Sequence, residues 1–262
     1  MDIPVLHFRR VGSTMEKARE LLSVSSGDRF IVMADEQSAG RGRIEGRTWE
    51  GSPGASLLMT LCLKGDYSAT EALPLRIGLA VHAVLSELTP SRLRIKWPND
   101  IMGICPPAHT RKGKNRFGKL GGLLCETTEG WLLAGIGLNL RMEAYTPAMR
   151  GKAVSLTEIA GADQGQEPTD LPAAKALALT IGNAVVSRLE GKDWRETYEK
   201  AMWALGEEVG FIVGHPDKGE LRRGIVRGVD AAGRILLQYE GGTIEAFWSG
   251  EISSITASDQ RP

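Results

Sequence analysis

Residues 119–140 read KLGGLLCETTEGWLLAGIGLNL, two apolar runs divided by Glu129-Gly130. Lys119–Thr127 and Trp131–Leu140 both carry a strand pattern, and the Glu-Gly pair between them predicts a hairpin. Glycines interrupt both runs, at Gly121-Gly122 and again at Gly135 and Gly137. Inside a strand, glycine marks a bulge or the close approach of another group. The chain is therefore built around a sheet whose facing strands either bulge or leave room for another group.

Working outward, Ile3–Phe8, Phe30–Glu36, Ala55–Leu63 and Leu93–Trp97 read as further strands, the last ended by Pro98, which cannot donate to a ladder. Ser13 and Glu16 have capping-box spacing and open a helix through Leu22. Helical spacing recurs over Thr70–Leu88, Leu171–Glu190 and Trp194–Leu205. Gln37–Pro53 reads as a loop dense in Gly and Arg, and 103–117 as a basic surface excursion. After Gly206 the texture changes to short strands separated by Gly-bearing turns, the pattern of a small β-barrel. The fold class is α+β: residues 1–206 form a mixed β-sheet body with packed helices, and residues 207–262 a small all-β module.

The 262 residues carry 32 Lys+Arg against 32 Asp+Glu, so no global field recruits nucleic acid or an anionic membrane. The opening MDIPVLHF has no basic n-region before an apolar core, and no apolar run approaches the roughly 20 residues of a membrane helix. Cys62 and Cys125 lie in apolar strands and read as buried free thiols, while the four histidines show no metal-ligand spacing. A reducing cytoplasm fits these features, and no membrane partner is expected.

Four segments carry chemistry. In Gln37-Ser38-Ala39-Gly40-Arg41-Gly42-Arg43-Ile44-Glu45-Gly46-Arg47-Thr48-Trp49, forked guanidinium donors on a glycine-rich backbone suit a phosphate or carboxylate; a solvated basic loop has the same composition. In Lys96-Trp97-Pro98-Asn99-Asp100, Asp100 suits Mg²⁺ or proton removal and Asn99 suits ligand orientation, although an Asn-Asp turn reads the same way. Lys119 with Gly121-Gly122 can set a cation beside a phosphate. Gly135, Gly137 and Asn139 complete the set on the facing strand.

The order of these segments decides between the alternatives. From Ser13-Thr14 through GRGR, KWPND, KLGG and GIGLN to Trp248-Ser249-Gly250-Glu251-Ile252-Ser253, nearly the whole chain resembles the biotin–protein ligase family in its monofunctional form. That resemblance implies a class II synthetase-like catalytic domain followed by an SH3-like module. It implies ATP and biotin as substrates, with Mg²⁺, and a biotin carboxyl carrier domain as acceptor. By the same resemblance, Ser13, Thr14, Gln37, Gly40, Gly122 and Gly135 form the biotin pocket with Arg41 and Lys119. Arg43, Arg47, Trp49, Asn99, Asp100 and Asn139 serve ATP, Asp100 also being the metal candidate. Arg41, Arg43, Lys119 and Asp100 are the catalytic set. Step one joins the biotin carboxylate to the α-phosphorus, and step two passes the acyl group to a lysine amine, so no protein nucleophile is needed.

The sequence departs from the family pattern at Met15 and Ser56, where Asn is usual, and in the loop 43–46, one residue longer than the usual Arg-x-Gly. The chain starts at the catalytic part, so no operator DNA binding is expected; a homodimer is left open. A lipoate or octanoate ligase shares the fold superfamily, but its glycine-triplet segment is absent. An inactive binding relative would have no reason to keep the phosphate-handling set.

Overall fold

The computed structural model describes residues 3–44, 46, 48–49, 52–67, 70–104, 117–149, 151–161, 171–189, 191, 193–215 and 218–254. Strands β1 (Val5–Val11), β2 (Arg29–Gln37), β3 (Ser56–Lys64), β4 (Leu93–Lys96), β5 (Asp100–Ile104), β6 (Phe117–Thr128) and β7 (Trp131–Asn139) form a seven-stranded sheet. Its order is β1-β2-β3-β7-β6-β5-β4. β1 and β2 run parallel, and the remaining neighbours antiparallel. The β6–β7 hairpin turns at Glu129 and Gly130, both with left-handed backbone, as the Glu-Gly pair predicts.

Side-chain alternation divides this sheet into two unlike faces. Leu132, Ala134, Ile136 and Leu138 of β7 enter the main core, with Leu57, Met59 and Leu61 of β3. That face is covered by α2 (Leu73–Leu88), α4 (Ala174–Arg188) and α5 (Trp194–Ala201). Their buried leucines, isoleucines and valines each contribute about 1.5–3 kcal/mol by leaving water. On the opposite face Trp131, Leu133 and Cys62 pack with Met15, Ala18 and Leu22 around α1 (Thr14–Leu21). α1 reaches only part of that face. Beyond it the same alternation presents Gly135 and Gly137 of β7, and there the functional site lies.

A short α3 (Leu156–Gly161) follows two 3-10 turns. The C-terminal strands β8 (Glu208–Val213), β9 (Glu220–Val229), β10 (Ile235–Gln238), β11 (Ile244–Phe247) and β12 (Gly250–Ser254) form a five-stranded antiparallel sheet ordered β11-β10-β9-β8-β12. Its Phe211, Val226, Ile235, Leu237 and Ile252 continue the main core of the body. Among the described residues, no helix is long and apolar enough to cross a membrane. Cys62 and Cys125 are free, and burial pushes both thiols up to about 12, with the neighbouring Glu126 charge adding at Cys125.

Several expectations are corrected. The segment after Pro98 is not only turn and excursion: Asp100–Ile104 is β5, which returns against β4 with Lys96 facing Asp100. Five residues that open on Asp and contain Gly103 carry too little alternation to announce a strand. The N-terminus of the second helix falls at Leu73 rather than Thr70. The capping box is only half formed. Ser13 Oγ accepts from Met15 N–H at 3.2 Å, while Glu16 turns away to pair with Arg41. The stretch 105–116 and Arg47 lie outside the described residues.

Candidate active site

Two cavities share a wall on the open side of the sheet. The first is lined by Ser13–Glu16 of α1, Gln37, Arg41, Gly122, Leu124, Gly135 and Gly137. The second runs from the glycine-rich loop across Lys96–Asp100 and Asn139 to Glu143–Tyr145, and reaches Gly250 and Glu251 of β12. Gly42, Arg43, Trp49, Asn99 and Lys119 line both.

The first cavity is organised by the start of α1. A helix leaves its first N–H groups without intrahelical partners. Here Gln37 Oε1 at the end of β2 accepts from Thr14 N at 2.7 Å and from Thr14 Oγ1 at 3.0 Å. Thr60 Oγ1 donates in turn to Thr14 Oγ1 at 3.0 Å. Three elements are thus tied at one buried point. Replacing Gln37 with Leu should cost roughly 1–3 kcal/mol of folding stability, because two buried donors lose their acceptor. Urea denaturation checks this, and a change below about 0.5 kcal/mol would show that the tie is not structural.

Close approach explains the glycines of β7. A Cβ at Gly135 would lie 2.7 Å from Met15 Sδ, and one at Gly137 would lie 3.0 Å from the Trp49 ring. Met15, which sequence reading noted only as a departure from family pattern, is a floor residue of the first cavity. Trp49 lies across Gly137, its backbone N–H donating to Gly40 O at 3.0 Å. Its buried Nε1 is unpartnered among the described residues. Gly40 fits closely beneath this tryptophan, 2.8 Å separating the position of its Cβ from Trp49 O.

Lys119, Arg41 and Arg43 each have a counter-group. Lys119 Nζ lies 2.7 Å from Asp100 Oδ1 and 6.0 Å from the Trp49 ring centroid. Arg41 pairs with Glu16. Arg43 Nη2 donates to the Gly250 carbonyl, 3.1 Å away. Asn99 and Asn139 line the second cavity, but their amides also hold backbone. Asn99 Nδ2 donates to Leu123 O at 2.8 Å, and Asn139 Nδ2 to Lys119 O and Val154 O at 3.2 Å each. Sequence reading missed Glu16, Arg19 and Glu126 at the first cavity's rim and Lys96 and Tyr145 in the second. No spacing signal marks them, since they meet only through the fold. Among the described residues, no cluster of three or more His, Cys, Asp or Glu could hold a metal by itself.

The family model of the biotin/lipoate A/B protein ligases matches residues 7–143, which include the glycine-rich loop and the β6–β7 hairpin, and the model of the biotin protein ligase C-terminal domain matches 204–254. The chain belongs to the biotin/lipoate A/B protein ligase family. Among members of this family, the bifunctional ligase/repressor BirA of Escherichia coli is 29% identical over 88% of this chain and 67% of its own length. The biotin–[acetyl-CoA-carboxylase] ligase of Mycobacterium tuberculosis is 28% identical over 90% of this chain and 83% of that protein. The structure of Aquifex aeolicus biotin protein ligase with biotin and ATP superposes with a TM-score of 0.72 at 27% identity, covering 95% of this chain and 97% of that one. The mixed sheet followed by a C-terminal antiparallel sheet is thus the biotin ligase fold.

Proposed function

We propose that this ligase activates biotin with ATP to biotinyl-5′-AMP and transfers the biotinyl group to a lysine of a biotin carboxyl carrier domain. The observation that carries this is the shared wall. A carboxylate and an α-phosphate held in adjoining cavities can react only where the cavities meet, and Arg43, Lys119, Trp49 and Asn99 stand there. The Aquifex relative, whose structure holds biotin and ATP together, supports the same arrangement.

In step one a biotin carboxylate oxygen bonds to the α-phosphorus and the bond to pyrophosphate breaks. Two anions approach, and Lys119, Arg41 and Arg43 offset their repulsion. Each of these cations is held by a group that an incoming anion can replace: Asp100, Glu16 and the Gly250 carbonyl. Ser13, Thr14, Gln37, Gly40, Gly122 and Gly135 receive the biotin rings, and Trp49 and Asn139 flank the nucleotide. Mg²⁺ accompanying ATP would supply positive charge beside the phosphates, and needs few protein ligands. Asp100, on the nucleotide wall and 21% exposed, is the carboxylate that fits beside it. In step two the acceptor amine attacks the carbonyl carbon of the anhydride, AMP leaves, and a proton is lost to solvent. We place the domain boundary after Gly206, where the chain enters β8, and the reaction in the cytoplasm, which supplies ATP and keeps the free thiols reduced.

The test is mass spectrometry of a carrier domain incubated with the protein, MgATP and either biotin or lipoate. A single ATP-dependent biotin increment is expected. An increment only with lipoate on a lipoyl domain would reassign the substrate, and none with either acid would overturn the reading.

A further inference from the structure

The turn that carries Asn99 and Asp100 is fastened on two sides. On one side Asn99 donates to Leu123 O, and Leu123 N–H returns to Asn99 O at 2.9 Å, both within the seven-stranded sheet. On the other side the tie leaves that sheet altogether. Trp97, 2% exposed, donates its indole Nε1–H to the Gly233 carbonyl at 2.9 Å, in the turn between β9 and β10. Its ring also meets Phe211 of β8, the centroids 6.3 Å apart.

The receiving turn is built to be rigid. Asp230 accepts from Arg234 N at 2.9 Å and from Arg234 Nε at 2.6 Å, and Gly233 N donates to Asp230 O at 3.0 Å. Gly233 has a φ of +89°, and a Cβ there would lie 2.7 Å from Ala72 Cβ at the start of α2. Only glycine lets the turn slip between α2 and Trp97. The tryptophan's buried N–H therefore finds its partner in the second sheet.

We infer that Trp97 is a positioning residue for the nucleotide wall, holding Pro98–Asp100 in place through the Gly233 carbonyl of the C-terminal sheet. The inference rests on the ligase reading for what the second cavity binds. Trp97, Pro98 and Asp100 line only that cavity, whereas the Thr14–Gln37 end of the biotin pocket lies on other elements. Loosening this tie should weaken ATP far more than biotin, whose cavity meets this wall only through Asn99 and Lys119.

The experiment is titration calorimetry of Trp97→Phe with ATP and, separately, with biotin, beside thermal unfolding and the rate of biotinyl adenylate formation. Phenylalanine keeps one aromatic ring and removes the donor, and the small gap it leaves is read by the thermal unfolding. Kd for ATP should rise about tenfold, the factor expected if the loosened wall keeps its binding arrangement in only about a tenth of free molecules, with Kd for biotin within about twofold of wild type. Asp230→Ala touches neither cavity but slackens the receiving turn, and should reproduce the ATP-specific change at about threefold. It decides the matter if Trp97→Phe does not fold. An unchanged ATP Kd in the folded variants, or equal weakening of both ligands alongside a lower unfolding temperature, overturns the inference and leaves Trp97 a core residue. Wild-type protein that binds ATP and biotin yet forms no adenylate would strike the ligase reading, leaving the ATP-to-biotin comparison to stand by itself.

Discussion

Lys119→Ala is expected to slow biotinyl-AMP formation by about 10²–10³-fold while changing the affinity for biotin little, the size seen when one preorganised charge on a developing anion is removed. Lys119 lines both cavities, and its Nζ is held 2.7 Å from Asp100 Oδ1. Its backbone is fixed as well: its carbonyl accepts from Asn139, and its N–H and C=O bond Lys152 and Val154. The cation therefore costs little to orient when two anions arrive. In the proposed reading the biotin rings bind elsewhere, against Thr14 and Gln37. Lys119→Arg should recover little, because a forked guanidinium cannot replace a point charge seated between Asp100 and the Trp49 face. Biotin-dependent exchange of pyrophosphate into ATP measures the step directly. Exchange within about threefold of wild type in Lys119→Ala would remove the assigned role.

What the sequence made legible was whatever repeats locally. The β6–β7 hairpin is visible because alternation and a Glu-Gly turn coincide, and the glycines Gly135 and Gly137 announce that something approaches β7. The structure shows what does: Met15 and Trp49. Their identity was not legible, because 120 residues separate Met15 from Gly135 and no local period links them. Glu16 shows the same limit more sharply. Its spacing from Ser13 suits a capping box, yet an arginine brought in by the loop competes for its carboxylate and wins. Asn99 and Asn139 were read through the ligand they would face, whereas their amides also bind backbone carbonyls that set Leu123 and Lys119. β5 was hidden because Asn99-Asp100 has the chemistry of a turn, and the turn indeed ends at Asn99, one residue before the strand begins at Asp100. The tie between Trp97 and Gly233 joins residues 136 apart and left no trace in either segment.

Arg43→Gly is expected to slow adenylate formation without abolishing it, and to release biotinyl-AMP at least about tenfold faster, so that bystander lysines become biotinylated. The loop between Gly40 and Trp49 is fastened by two side chains of opposite reach. Arg41 pairs with Glu16 on α1, at the first cavity, and Arg43 donates to Gly250 O on β12, at the second. Deleting the second side chain frees the loop from the C-terminal sheet, and glycine adds backbone freedom at the same position. Chemistry survives because Lys119 and Arg41 still face the reacting anions. Retention does not, since an ordered loop is what keeps a labile anhydride from water and stray amines. Stopped-flow measurement of adenylate release, with mass spectrometry of serum albumin present as a bystander, reads both halves. Faster release with multiple biotin increments on albumin is the expected pair. Unchanged release and unlabelled albumin would mean that the loop is held by its arch from Gly40 to Trp49, where Arg41 bridges Thr48 and Trp49 packs on Gly137, and that the arginine serves only the phosphates.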